Sequence, residues 1–197
     1  MVTVMPDAYN VQAAYNWAIR TCNATNVGYA GGSAPDAVPF SWRDMQLHDG
    51  KRYCDCSSFI WFAVIAGGID LESVYGSWPF VTYTMGSVLT QVGFQWYDSS
   101  QEPWIPGDIV VFPGDITQGT GHTEMVYDNN YVTMGAHNSY LPFADQVSIN
   151  NYSSSPSSYP DLYRWTGGSP TPPTPPHPGR RIPVWLIKRA KELSWQL

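Results

Sequence analysis

Positive charge is scarce in this chain, and charge of any kind is sparse. Charged residues make up 13% of its 197 residues, and ten Lys and Arg face sixteen Asp and Glu. The few cations are also unevenly placed. Residues 1–166 hold five of them beside fifteen acidic residues, a net of −10, while residues 167–197 hold five beside Glu192 alone, a net of +4. An acidic body has no electrostatic footprint for nucleic acid, which is therefore not expected as a partner. The basic end suits an anionic polymer or surface instead. Cysteine is scarce too. Cys22, Cys54 and Cys56 are odd in number, and two of them are one residue apart, so no disulfide framework is expected. Cys54 and Cys56 with His48 or His122 lack the usual zinc-ligand spacing, and neither a metal nor a cofactor is expected. No apolar run reaches the roughly 18–20 residues that span a bilayer. No basic stretch followed by an apolar run opens the sequence, so a secretory leader is not expected.

What is abundant is apolar and aromatic. Hydrophobic residues are 43% of the chain, with nine Trp and thirteen Tyr. The most apolar stretch, residues 59–66, follows Tyr53-Cys54-Asp55-Cys56-Ser57-Ser58 and precedes Gly67-Gly68. A segment apolar on every side reads as a buried helix. Asp55 is a good N-cap, and Gly67 suits the left-handed residue that ends a helix. Cys56 then falls in the first turn, where unpaired backbone N–H groups and the positive dipole end favour a thiolate. Cysteine also fills space in cores, so a catalytic reading of Cys56 requires a base elsewhere.

The best place for that base is residues 121–138. A two-residue turn at Asn129-Asn130 pairs residues whose numbers sum to 259. Met125 then faces Met134, Glu124 faces Gly135, and His122 faces His137. Opposed Cβ atoms lie about 4.5–5.5 Å apart, so one imidazole serves as base and the other as its orienting partner. Alternation puts Glu124 on the face of His122, opposite a glycine that leaves room. A one-residue slip would bring Asn138 in instead.

Residues 7–23 read as a helix capped by Asp7, with Val11, Tyr15, Ala18 and Cys22 on one face. Residues 29–40 read as loop, and residues 83–92 as a helix. Strands are expected at 94–97, 109–112, 122–127, 131–137 and 162–165, with a turn at Pro106-Gly107-Asp108. Residues 151–158 read as loop. Helices first and strands after indicate an α+β fold with an antiparallel sheet. Residues 167–179 are dense in proline and read as a semi-rigid linker. Within the basic segment 180–197, residues 184–197 read as helix. Three parts follow: a body over 1–166, a linker over 167–179 and a basic segment over 180–197.

Several of these stretches together resemble the NlpC/P60-type cysteine peptidases and amidases. Asp55-Cys56-Ser57-Ser58 resembles that family's Asp-Cys-Ser-Gly or Asp-Cys-Ser-Ser motif. Pro106-Gly107-Asp108-Ile109 resembles its Pro-Gly-Asp-Leu strand, and Gly121-His122-Thr123-Glu124 its Gly-His strand. His137 lies where the family has its third polar residue. The likeness is greatest to the bacteriophage endolysin amidase branch, whose domain ends with a Tyr-Arg strand, here Tyr163-Arg164. It covers about residues 7–166. Two departures stand out: Cys54 separates Tyr53 from the motif, and Glu124 replaces a small residue.

The resemblance implies a papain-like α+β fold and cofactor-free hydrolysis of an amide bond in peptidoglycan. It implies Cys56 as nucleophile, His122 as general base and His137 as orienting residue. Asn138, Asp55, Tyr53 and Glu124 are candidate supporting residues. The bond implied is that between N-acetylmuramic acid and L-alanine. The alternatives are a stem-peptide endopeptidase of the same family, and a non-catalytic wall-binding or phage structural protein. The partners implied are bacterial peptidoglycan and, through the basic segment, an anionic wall polymer. Such a protein is made in the host cytoplasm without a signal peptide and acts on the cell wall.

Overall fold

The computed structural model describes residues 9–112, 114, 121–151 and 159–167. The expected cap Asp7, the segment 152–158, the linker beyond Gly167 and the C-terminal helix lie outside them. In chain order the elements are α1 (Val11–Cys22), β1 (Val27–Tyr29), β2 (Arg52–Cys54), α2 (Cys56–Ala66), α3 (Leu71–Tyr75) and α4 (Thr82–Gln91). Then come β3 (Phe94–Asp98), β4 (Ile109–Phe112), β5 (His122–Val126), β6 (Val132–Ala136), β7 (Val147–Asn151) and β8 (Asp161–Trp165). Six strands form one antiparallel sheet in the order β3-β8-β4-β5-β6-β7. The fold is α+β with an antiparallel sheet. Among the described residues no helix is long and apolar enough to cross a membrane.

The order of helices first and strands after holds only in part. β1 and β2 pair in parallel ahead of α2, with Tyr29 opposite Cys54. They are three residues each, too short to leave a periodic signature. β7 and α3 also escape the sequence pattern, because β7 is mostly polar and α3 spans five residues. α1 starts at Val11 and not near Asp7. Asn10 is extended, and its side-chain oxygen accepts the Ala13 N–H at 2.9 Å, which caps the helix there.

α2 is the buried helix expected from its sequence. Phe59, Ile60, Trp61, Ala63 and Val64 are all within 1% of full burial. They join Ile109, Val111, Met125 and Met134 of the sheet in the main core. Val110, between Ile109 and Val111, goes instead to a second cluster with Trp104, Val126 and Leu162. That alternation is the two-residue period of a sheet covered on both faces. At the end of α2 the glycines have different tasks from the one expected. Gly67 is right-handed at φ −76°, and a Cβ there would sit 2.1 Å from the Tyr9 ring, so packing demands glycine. Gly68, at φ +99°, is the left-handed residue.

The Pro106-Gly107-Asp108 turn is tied to the last strand. Arg164 holds Asp108 with two hydrogen bonds, Nε to Oδ1 at 2.9 Å and Nη2 to Oδ2 at 2.7 Å. Asp108 Oδ2 also accepts the Ile105 N–H at 3.0 Å. These two motif-bearing segments therefore brace each other and position the entry into β4.

Candidate functional site

The mouth of α2 is built by its cap. Asp55 Oδ1 accepts the Ser58 N–H at 2.6 Å and the Ser57 hydroxyl at 3.0 Å, while the Ser58 hydroxyl accepts the Asp55 N–H at 2.9 Å. This reciprocal capping box contributes about 1 kcal/mol and fixes the backbone entering the helix. Cys56 and Ser57, as first helical residues, have no intrahelical acceptor for their N–H groups. A second anchor was not legible in the sequence. Arg43 is fully buried, with Nη1 3.2 Å from Asp55 Oδ2. Its Nη2 donates to Ser57 Oγ and to the carbonyls of Pro79 and Phe80. One guanidinium thus ties the start of α2 to the segment leading into α4.

Across from this mouth stands the β5–β6 hairpin. Met125 pairs with Met134 and Val126 with Thr133, which is the register expected from the sequence. The turn that sets it differs. Asp128 Oδ1 accepts the N–H groups of Asn130 and Val132, and Tyr131, not an Asn, adopts positive φ at 62°. An aspartate side chain replaces the tight backbone turn without changing the pairing.

The register brings His122, Glu124 and His137 together, with Glu124 in the middle. Glu124 Oε1 is 2.8 Å from His122 Nε2 and 3.0 Å from His137 Nδ1. Glu124 Oε2 accepts the Thr133 hydroxyl. The histidines do not orient each other directly, as the sequence pattern had it; their ring centroids are 6.4 Å apart and the carboxylate lies between them. His137 Nε2 is held in turn by Ser148, 3.1 Å from its Oγ and 3.2 Å from its carbonyl. Gly135 leaves the room: a Cβ there would come within 3.1 Å of Glu124 Cγ. The three residues each offer a donor atom within 4.8 Å of the others, a set able to hold a metal ion.

His122 also neighbours Cys56, whose side chain acts on its imidazole. With Nε2 engaged by Glu124, Nδ1 is the nitrogen left for the thiol. Partial burial works against a charged His122, but the hydrogen bonds and charges of Cys56 and Glu124 outweigh it and raise the imidazole from 6.5 to about 10. Burial likewise opposes the Glu124 charge. The hydrogen bonds and charges of the two histidines prevail and lower it from 4.5 to about 2. An imidazole raised in this way is a strong base placed beside Cys56. Burial raises Cys22 to about 12 and pushes Cys54 well above 9.0, so both stay protonated.

The remaining candidates are spread out. Asp55 acts through the cap and the Arg43 pair. The Tyr53 ring packs near Trp42 and Phe143. Asn138 is exposed, and its side chain accepts the Tyr140 N–H at 2.9 Å. Tyr29, at the end of β1, lies nearer the chemistry than Tyr53. Its phenol is raised by burial and then by the charges of Cys56, Asp55 and Cys54. Tyr29 also lines a cavity of about 270 Å³ with Asp36, Lys51, Tyr53, Ser139 and Phe143. A larger cavity of about 360 Å³, walled by Trp17, Arg20, Arg52 and Phe62 among others, shares no residue with this constellation. The smaller one is not lined by Cys56, His122, Glu124 or His137 either; what relates it to the site is Tyr29, whose phenol feels the charge of Cys56.

No curated protein matches the chain. A family model does match, that of the endolysin-like domain, over residues 1–133; this span takes in Cys56, His122, Glu124 and Thr133 and stops short of His137. The chain belongs to the endolysin-like domain family.

Proposed function

We propose that the protein is a cysteine-dependent peptidoglycan amidase of the phage endolysin type, with a papain-like NlpC/P60 fold. The observation that carries this reading is the hydrogen-bonded chain of His122, Glu124 and His137 with Cys56 beside its His122 end. Membership of an endolysin-like family supports action on the cell wall, with peptidoglycan as substrate. The bond cut is the amide between N-acetylmuramic acid and L-alanine.

In this reading Cys56 is the nucleophile and His122 takes its proton. The thiolate attacks the lactyl carbonyl, and the Cys56 backbone N–H receives the developing oxyanion. The C–N bond breaks as His122 returns the proton to the alanine nitrogen, leaving an acyl group on sulfur. Water, deprotonated by His122, then releases the acid. Glu124 holds the imidazole in the required tautomer and stabilises its charged form, and His137 holds Glu124. The cavity walled by Tyr29, Tyr53 and Phe143 offers aromatic faces to a sugar or a peptide. Residues 1–166 form the catalytic body. Residues 167–179 are a linker, and the basic residues 180–197 direct the acidic body to an anionic wall polymer.

A thiol-directed electrophile tests the assignment. It should label Cys56 fastest of the three cysteines, and Cys56 should lose that advantage in His122→Ala. Equal or slower labelling of Cys56 in the wild type would favour a non-catalytic wall-binding protein.

A further inference from the structure

The carboxylate between the two histidines does more than align a base. Glu124 Oε1 stands 2.8 Å from His122 Nε2 and 3.0 Å from His137 Nδ1, so three donor atoms converge on one small volume. Two imidazoles and a carboxylate are a favoured donor set for zinc, which binds each at about 2.0–2.2 Å. Donors around a tetrahedral zinc sit about 3.3–3.5 Å apart. A separation of about half an ångström more than the present one therefore replaces hydrogen-bonded contacts by metal bonds. The outer contacts of a metal site are also present. Thr133 bonds the other carboxylate oxygen, and Ser148 holds His137 Nε2. Such partners fix ligand orientation and strengthen binding. His122 remains about one-third exposed, at 34%, which leaves an entry path and room for a water as fourth ligand.

We propose that His122, Glu124 and His137 form a zinc-binding site, and that zinc there switches the hydrolase off. The inference rests on the cysteine mechanism above. Zinc on His122 Nε2 leaves Nδ1 carrying the hydrogen that faces Cys56. A ring so occupied cannot cycle through imidazolium: it has no lone pair for the thiol proton, and giving its Nδ1 hydrogen to the leaving nitrogen would leave an imidazolate. The metal therefore removes the general base without binding the nucleophile, and Cys56 is not a ligand.

The test uses the full chain and zinc itself. Calorimetric titration should give one zinc per chain in the wild type and in Cys56→Ser, and none in Glu124→Gln or His137→Ala, with circular dichroism reporting that each is folded. Cobalt(II) gives a check on the wild type alone: visible ligand-field bands without the intense near-ultraviolet band of thiolate ligation. Activity on purified peptidoglycan should fall with zinc by about 10²–10⁴-fold, the cost of losing a general base, and return with a chelator. Loss of binding in Cys56→Ser, retention in His137→Ala, or a thiolate band with cobalt overturns the site. No zinc binding in an enzyme that still depends on Cys56 defeats this inference alone. Activity that requires zinc, and survives in Cys56→Ser, defeats the cysteine mechanism as well.

Discussion

Replacing Glu124 by Gln keeps the shape of the side chain and removes its charge from the centre of the site. The carboxylate is 8% exposed, and its lowering from 4.5 to about 2 corresponds to roughly 3 kcal/mol of preference for the charged form. Gln still accepts one hydrogen bond, so the expected destabilisation is nearer the 1.5–3 kcal/mol of hydrogen bonds to a charged group. For a chain of this length that is a melting-temperature loss of roughly 5–10 °C. The pH dependence carries more information. Glu124 is depressed, so its contribution is present above 4.5 and is lost as pH falls through about 2. His122 is raised, so its contribution is full below 6.5 and is lost as pH rises through about 10. The stability difference between wild type and Glu124→Gln should therefore be greatest between pH 4.5 and 6.5 and shrink on both sides. Denaturant unfolding across pH measures it. Activity should fall by about 10⁴-fold, as when a triad carboxylate becomes an amide. A difference that does not vary with pH, or a fully active variant, would refute the coupling of His122 to Glu124.

Cys56→Ser should fold normally and fail to clear a peptidoglycan suspension, while Cys22→Ser and Cys54→Ser keep most activity; an active Cys56 variant beside a dead Cys54 variant would move the nucleophile. Gly135→Val should cost about 1–3 kcal/mol through overpacking and lose activity disproportionately, because the new methyls press on Glu124. Arg43→Met should cost about 3–5 kcal/mol in chemical denaturation, since it leaves Asp55 buried without its cation. Deleting residues 167–197 should spare cleavage of soluble fragments and weaken salt-sensitive binding to intact walls; a lower melting temperature with unchanged binding would make the segment a brace.

How much of this was legible in the sequence depended on how local the signal is. The Asp55 cap and the apolar run of α2 lie within a dozen residues, and both read true. The hairpin register followed from a pairing of Met125 with Met134 across a short turn, although Asp128 and Tyr131 build that turn rather than the two asparagines. Glu124 was visible only as a neighbour of His122. Its place between two rings needs the third dimension, because Thr133 and His137 reach it from the next strand. Arg43 was invisible. Its partners Asp55, Ser57, Pro79 and Phe80 are 12 to 37 positions away, and no periodicity records such contacts. Tyr29 was hidden in a stretch that reads as loop, and the charges of Cys56 and Asp55 acting on it arise through the β1–β2 pairing.

The central claim is that Cys56 cleaves an amide bond of peptidoglycan, and mass spectrometry of fragments released from purified peptidoglycan tests it most directly. The account predicts that the wild type frees stem peptides with a new L-alanine amino terminus and leaves intact glycan, and that Cys56→Ser releases nothing. Release of the same fragments by Cys56→Ser, or new reducing sugar ends from the wild type, would contradict it.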